Sequence, residues 1–330
     1  YTSKVEILRQ LMQGTSVMVI DPEREYKQLA DSVNGTYIKL SVKSREKINP
    51  FDISLHGATA DALSEHVQDL TEIISLMAEG LSPEEKAAVD KAILQTYKNA
   101  FNKTGKRTSS RYKQAQYPLF SDFYAVLKKL KQTKLCTRLD KFYDGSLANV
   151  FDSQTNINLD NRLVVFDIKD LPESLRKIMM LVISNFVENQ VRSRPEKRLL
   201  VIDEGWMLLQ HEESARFVAG LVRRARKYFL GVSIISQQAN DFLKSDYGKA
   251  IASQSSLRIL MRQDTTTIEQ VVSQFNLSEY ERKFLLTCDR GEALLIADQN
   301  HVSVKIVASQ KEHPLITTNP IELYLLERSR

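Results

Sequence analysis

Two adjacent carboxylates follow an apolar run, and they are the residues best suited to chemistry. The run is Leu199–Ile202, and Asp203 and Glu204 come directly after it. Such a run is typical of a buried parallel strand, whose carboxyl end lies at the edge where α/β sheets bind ligands. There Asp203 is placed to hold Mg²⁺, usually through water, and Glu204 to polarise an attacking water. This is the pattern of a Walker B strand, although any buried strand can end in Asp-Glu.

Three further apolar runs end in polar residues of the same kind. Their end residues are Asp21, Asp167 and the amide pair Gln237 and Gln238. In a parallel sheet these ends lie along one edge, so residues distant in sequence converge on one cleft. Strand ends are also often polar because they meet solvent, and we favour that explanation for Asp167. The amides are suited to hydrogen-bond an attacking water and a γ-phosphate oxygen.

Four cations occupy five positions near the C-terminal end of a predicted helix. They are Arg223, Arg224, Arg226 and Lys227. Interaction with the helix dipole explains two of them. The alternative is an arginine that reaches the γ-phosphate bound to a neighbouring subunit. The sequence leaves both explanations open.

Strand and helix patterns alternate at both ends of the chain, whereas helical spacing alone fills the middle. We predict strands at residues 17–21, 37–40, 162–167, 199–202, 231–238, 256–261, 292–297 and 302–307, and helices at 4–12, 63–77, 83–101, 119–130, 174–194, 215–228, 265–275 and 278–286. We expect Ser121 to cap the helix at 119–130. The alternation predicts one parallel sheet interrupted by an all-α insertion, with the strand order undetermined.

Composition sets broad limits on the class of protein. The chain has 330 residues, 42% hydrophobic and 26% charged. Its net charge of +5 permits contact with nucleic acid or an anionic membrane but does not argue for either. Cys136 and Cys288 suggest neither a disulfide framework nor a zinc knuckle, and a reducing compartment fits best. The basic stretch 102–116 is by default a solvated loop and otherwise a nucleic-acid contact.

The order and spacing of these motifs resemble those of conjugation and type IV secretion ATPases. The stretches that carry the resemblance are residues 19–26, 48–51, 201–206, 226–227 and 236–243. The match is to the carboxy-terminal motor domain of the large secretion ATPase, which resembles the HerA–FtsK branch of P-loop motors. It covers nearly the whole chain.

The resemblance implies an α/β, RecA-like ATPase domain with a mostly parallel sheet flanked by helices and interrupted by an all-α insertion. Residues 1–58 and 156–330 would form the two parts of the RecA-like domain, and residues 59–155 the insertion. The implied function is an ATP-hydrolysing motor subunit that energises pilus assembly and substrate transfer. It would self-associate, with a hexamer as a candidate, and act with other secretion subunits. It would be cytoplasmic, held peripherally at the inner face of the cell membrane by those partners.

The resemblance also implies roles at a site for ATP and Mg²⁺. Asp203 and Glu204 correspond to the Walker B pair, with Mg²⁺ at Asp203, and Arg226 is the expected arginine finger. The remaining expected site residues are Asp21 and Glu25, beside the phosphates, and Gln237 or Gln238, as the γ-phosphate sensor.

The sequence departs from the family pattern at the phosphate loop. No G-x-x-x-x-G-K-[ST] motif occurs, and at Gly105-Lys106 the following residue is Arg107 and the first glycine is replaced by Ala100. In the family the loop directly precedes a helix like the first one here. We therefore expect this loop just before Tyr1, outside a chain that begins without methionine.

Two other functions remain open. One is a DNA-pumping ATPase or helicase, although Ser236-Gln237-Gln238 stands where Asp-Glu-Ala-Asp helicases carry Ser-Ala-Thr. The other is an assembly scaffold that binds nucleotide with little turnover and docks partners on the helical insertion. We expect Trp206 to pack beneath the Walker B turn and His211 to have no separate role.

Overall fold

The main sheet of the protein has five parallel strands. The computed structural model describes residues 1–53, 60–103, 117–193 and 196–317, together with residues 319, 321, 322 and 324. The strands are β1 (Ser16–Asp21), β2 (Thr36–Lys39), β3 (Leu163–Asp167), β4 (Arg198–Ile202) and β5 (Leu230–Ile234). Their order is β2-β3-β1-β4-β5, and every pairing is parallel. The predicted α/β fold with a mostly parallel sheet is therefore confirmed.

Most of the helices cover the two faces of this sheet, and the others pack with the last three strands of the chain. The helices are α1 (Thr2–Met12), α2 (Lys27–Ser32), α3 (Ala60–Met77), α4 (Pro83–Lys103), α5 (Phe120–Lys129), α6 (Thr133–Tyr143), α7 (Ala148–Phe151), α8 (Glu173–Ser193), α9 (Trp206–Leu209), α10 (Glu212–Ala225), α11 (Asn240–Leu243), α12 (Asp246–Gln254), α13 (Ile268–Phe275), α14 (Glu279–Thr287) and α15 (His313–Ile316). A 3₁₀ turn, Arg226–Tyr228, follows α10. Within the described ranges, no helix is both long and apolar enough to span a bilayer.

Strand β1 shows why the sheet is buried on both faces. Its residues alternate between two cores: Val17 and Val19 belong to one, whereas Met18 and Ile20 belong to the other. Successive side chains of a strand point to opposite faces, so an apolar run of this kind needs packing on both. The apolar runs recognised in the sequence are therefore the centre of the sheet.

Helices α3 to α7 lie between β2 and β3, where the sequence predicted an insertion. They share one hydrophobic core with the sheet and α8. Helix α6 was not anticipated. The prediction that Ser121 caps α5 is wrong: Leu119 is the N-cap, and Asp122 closes the first turn by accepting the Leu119 N–H at 3.0 Å. The Ser121 N–H instead donates to Asp152 at 2.8 Å.

A second sheet contains the last three strands, and the prediction of a single sheet is wrong in this respect. The strands β6 (Leu257–Leu260), β7 (Glu292–Ala297) and β8 (Asn300–Lys305) pair antiparallel in the order β6-β7-β8. A two-residue turn joins β7 to β8, so this pair cannot be parallel, because parallel strands need a long crossover. The hairpin itself was predicted.

Candidate functional site

The ends of three central strands lie together at one edge of the main sheet. Asp21 of β1 is paired with Asp167 of β3 in the strand register. On the other side of β1, the Asp203 N–H donates to the Ile20 carbonyl at 3.2 Å. The structure thus brings Asp21, Asp167 and Asp203 to one edge of the main sheet. Their individual surroundings show which of them are available to a ligand.

The turn after β4 is tightly packed against β5. Glu204 has a left-handed backbone with φ 50°, and its N–H donates to Oδ1 of Asp203 at 3.0 Å. The Gly205 N–H donates to the Ile235 carbonyl at 2.7 Å. A Cβ atom on Gly205 would lie 2.3 Å from Cγ2 of Ile234, so only glycine fits here. This packing holds Glu204 in a conformation that non-glycine residues rarely adopt.

Glu204 is held between two side chains. Its Oε1 accepts a hydrogen bond from Nε2 of Gln237 at 2.9 Å, and its Oε2 accepts one from Nε1 of Trp206. Trp206 also packs against the hydrophobic core, and sequence reasoning missed its bond to Glu204. The Gln238 N–H donates to Oγ of Ser236 at 3.4 Å, and its side chain has no hydrogen bond to a described residue. Of the two amides, only Gln237 touches the acidic pair.

Asp203 is a buried carboxylate, only 9% exposed. Burial raises the pKa of Asp203 to about 6, with Glu204 and Glu25 adding to the rise, while hydrogen bonds from the Glu204 N–H and the Tyr26 hydroxyl oppose it. A divalent cation would favour the ionised form that burial disfavours. Mg²⁺ commonly binds one or two carboxylates and completes its shell with water and phosphate oxygens, so this donor set fits the ion.

Asp21 and Asp167 are already occupied by protein groups. Asp21 is fully buried, and its two oxygens accept the backbone N–H groups of Glu25 at 3.0 Å and Tyr26 at 2.9 Å. Burial raises its pKa against these two bonds. Asp167 accepts Nε of Arg24 and the Tyr37 hydroxyl, each at 2.7 Å. Asp21 therefore fixes the backbone of the segment that carries Glu25, whereas Asp167 holds the side chains of Arg24 and Tyr37.

Sequence reasoning missed Lys4 and Tyr26. Lys4 is 1% exposed, and its Nζ lies 3.5 Å from Oε2 of Glu25 and 5.2 Å from the centre of the Tyr26 ring. Burial lowers the pKa of Lys4, and Glu25 partly opposes this. The Tyr26 hydroxyl lies 3.0 Å from Oγ of Ser3 and also bonds to Asp203. A lysine on the apolar face of the predicted first helix was the available signal.

Arg226 does not join this group of residues. It is exposed and lies in the 3₁₀ turn before β5. The Arg198 N–H donates to the Phe229 carbonyl at 3.1 Å, which places this turn at the starting ends of β4 and β5. Asp203 lies at the opposite edge of the main sheet, because β4 and β5 both start beside this turn and Asp203 follows the end of β4. The Arg226 side chain forms no ion pair within the part of the chain that the structure describes.

The parallel sheet and the acidic turn at its edge are those expected of a P-loop ATPase domain. The TraG P-loop domain matches residues 3–313, which is most of the chain. The chain therefore belongs to the TraG P-loop domain family. This confirms the resemblance to the ATPases of type IV secretion and conjugation.

Solved structures and curated relatives agree with this assignment. VirB4 of Thermoanaerobacter pseudethanolicus is 30% identical, with a TM-score of 0.81 over 94% of this chain and 86% of that one. The plasmid coupling protein TrwB with ADP and Mg²⁺ has the same fold, at 13% identity and a TM-score of 0.60 over 94% of this chain and 83% of that one.

Among curated relatives, the type IV secretion system protein virB4 of Bartonella henselae is 25% identical over 50% of this chain and 23% of its own length. Protein TraC of Escherichia coli is 24% identical over 77% of this chain and 30% of its own length. The chain thus spans less than a third of each of these relatives.

Proposed function

We propose that the chain is the ATP-hydrolysing motor domain of a subunit that energises type IV secretion or conjugation, in pilus assembly and substrate transfer. The observation that carries the proposal is the 2.9 Å contact between Glu204 and Gln237 beside the buried Asp203. ATP hydrolysis needs a group that activates water and one that responds to the γ-phosphate, next to a metal-binding acid. The similarity to virB4 supports the secretion role.

In the proposed site each residue has one task. Asp203 would hold Mg²⁺, which neutralises the phosphate charge when bound with ATP. Glu204 accepts a proton from the attacking water. Gln237, which donates to Glu204 at 2.9 Å, turns its amide toward the γ-phosphate when nucleotide is present. Asp21 acts indirectly, since it shapes the segment that presents Glu25.

We place the phosphates of ATP at the N-terminal turn of α1. Ser3 and Lys4 of this turn lie beside Tyr26 and Glu25, at the same rim as Asp203. Helix N-termini favour anions because their N–H groups are unpaired and the dipole is positive there. A glycine-rich phosphate loop leading into α1 would complete this site.

The position of Arg226 supports an assembly of several subunits. Because Arg226 lies at the edge opposite its own Asp203, we assign it to the site of a neighbouring subunit. The proposal therefore includes self-association, with a hexamer as the candidate ring, and contact with other secretion subunits. Those partners would hold the protein at the cytoplasmic face of the membrane. We retain residues 59–155 as the proposed all-α insertion.

Hydrolysis per subunit, measured at rising concentrations of the full-length protein, tests this function. A motor with an arginine acting in trans should gain activity as it assembles, whereas an Arg226→Ala variant should stay low at every concentration. A scaffold would hydrolyse little ATP, with no rise in the rate per subunit as it assembles. A DNA pump would instead bind DNA with a salt dependence of several charges. The basic stretch that suggested DNA binding lies largely in residues 104–116, outside the described ranges.

A further inference from the structure

We propose that a largely buried network of charges positions Arg226 and couples its position to α3. This inference rests on the proposed function, in which Arg226 acts on the site of a neighbouring subunit. The members of the network are Glu65, Asp69, Glu188, Arg192 and Arg224. They come from three helices, α3, α8 and α10, and we call them the arginine-turn network.

Arg224 forms the centre of the arginine-turn network. Its Nε donates to Oε1 of Glu188 at 2.8 Å, and its Nη2 donates to Oδ2 of Asp69 at 3.0 Å. The Glu188 and Asp69 side chains are only 3% and 8% exposed. One guanidinium therefore ties α10 to both α8 and α3. Lysine, with a single ammonium, cannot reproduce this planar two-sided contact.

Arg192 provides the second half of the arginine-turn network. Its Nη2 lies 2.6 Å from Oε1 of Glu188 and 2.9 Å from Oε2 of Glu65. Its guanidinium carbon lies 5.1 Å from the centre of the Tyr228 ring, within the range of a cation–π contact. Tyr228 is the last residue of the 3₁₀ turn that begins with Arg226. The arginine-turn network thus also contacts the last residue of the turn, through Arg192 and Tyr228.

The result is a turn that is anchored on both sides of an exposed arginine. Arg224 lies two residues before Arg226, and Tyr228 lies two residues after it. Phe229, the residue directly after the turn, has a left-handed backbone with φ 56° and is 61% exposed. The contacts of Arg224 and Tyr228 hold the backbone of the turn in place, while the Arg226 side chain extends outward. Arginine fingers depend on such placement, since an error of about 1 Å can cost about 10²-fold in rate.

The burial of Asp69, Glu188 and Arg192 also argues for a role in positioning. Buried ion pairs are often no more stabilising than apolar side chains of the same size, so stability alone explains them poorly. Both carboxylates contributed by α3, Glu65 and Asp69, lie one turn apart on that helix and face the two arginines. A shift of α3 would therefore move both anchors of the turn. The helical insertion is in this way connected to the residue that crosses to the next subunit.

A matched pair of substitutions on α10 tests this inference in the full-length protein. Arg224→Lys should lower hydrolysis per subunit by about 10²-fold, because the turn loses its two-sided anchor. Arg216→Lys is the control, since Arg216 lies on the same helix and also pairs with α3, through Glu72 at 2.9 Å. Arg216 lies eight residues from Arg224, about 12 Å along the helix. We expect Arg216→Lys to hydrolyse ATP within about twofold of the parent protein.

An experiment with mixed variant subunits distinguishes a misplaced Arg226 from damage to the subunit's own nucleotide site. Arg224→Lys subunits keep their own Glu204, and Glu204→Gln subunits keep an anchored Arg226. In an equal mixture that assembles at random, half of the sites contain Glu204 and half of those face an intact finger. Hydrolysis should recover to about a quarter of the parent rate per subunit. Asp69→Ala should behave like Arg224→Lys, which tests the link to α3.

Three results would overturn the inference. The first is an Arg224→Lys variant that is as active as Arg216→Lys. The second is an Arg224→Lys variant that does not recover when mixed with Glu204→Gln, although Arg226→Ala does recover. In the second case the network would act on the nucleotide site of its own subunit or on the stability of the fold. The third is an Arg226→Ala variant that does not recover hydrolysis when mixed with Glu204→Gln, which would show that Arg226 is not an arginine finger. Full hydrolysis by Glu204→Gln alone would instead contradict the proposed function.

Discussion

Oε1 of Glu204 lies 2.9 Å from Nε2 of Gln237, although the two residues are 33 positions apart in the chain. Glu204 follows β4 and Gln237 follows β5, and these strands are neighbours in the main sheet. The contact therefore joins the end of the acidic strand to the end of the strand beside it. In the proposed site, a change in the contact between Gln237 and the γ-phosphate would therefore be transmitted directly to Glu204.

Replacement of the two amides should have unequal effects. Gln237→Ala removes the group that touches Glu204, so we expect kcat for ATP to fall by about 10²-fold. Gln238→Ala should stay within about threefold, because only its backbone is hydrogen-bonded near the site. The measurement is steady-state kcat and KM for both variants. Equal losses in the two would contradict the assignment of Gln237 as the sensor.

Trp206 should report nucleotide binding through its fluorescence. It is the only tryptophan of the chain, and its Nε1 donates to Oε2 of Glu204. A nucleotide that draws Glu204 toward water and phosphate would loosen this bond and change the emission. We expect a saturable change on titration with Mg²⁺ and a non-hydrolysable ATP analogue. The change should vanish in Glu204→Ala, which keeps the tryptophan but removes its acceptor, and an identical change in that variant would refute this origin.

His66 should make stability depend on pH. It is fully buried, and burial, with a further contribution from Arg192, lowers its pKa from 6.5 to about 3. Because the folded state resists protonation, stability is complete above 6.5 and is lost as the pH falls toward 3. The loss should be about 1.4 kcal/mol per pH unit at most.

The test of this pH dependence is a comparison with His66→Gln, which does not titrate and keeps an amide near the Tyr97 hydroxyl. Free energies of unfolding in urea should converge or cross as the pH falls, because only the parent protein loses the His66 contribution. Curves that stay parallel over this range would show that His66 is protonated equally in both states.

The strand ends were predictable because apolar runs are local signals. The runs before Asp21, Asp167 and Asp203 are each four residues long, and such short apolar runs are typical of strands buried on both faces of a central sheet. The predicted convergence at one rim followed from the parallel direction of these strands. The sequence alone could not separate Asp203, which remains available, from Asp21, whose oxygens are occupied by backbone N–H groups.

Contacts between distant surfaces were not predictable. The bond between Tyr26 and Asp203 depends on how α1 and the segment after β1 pack together. The division of roles within the basic cluster depends on α3 and α8, because their carboxylates bind Arg224 and leave Arg226 exposed. Neither helix is marked in the sequence as a partner of α10. Such relationships are set by tertiary packing, which local spacing does not encode.

The most direct test of the central claim is a side-by-side measurement of ATP affinity and Mg-ATP hydrolysis in Glu204→Gln, with the exposed Glu84→Gln as control. The account predicts that hydrolysis falls by at least about 10²-fold while ATP affinity stays within about threefold, because only water activation is removed. The control should keep both. Undiminished hydrolysis in Glu204→Gln would contradict the claim that the strand ends form an ATP-hydrolysing site.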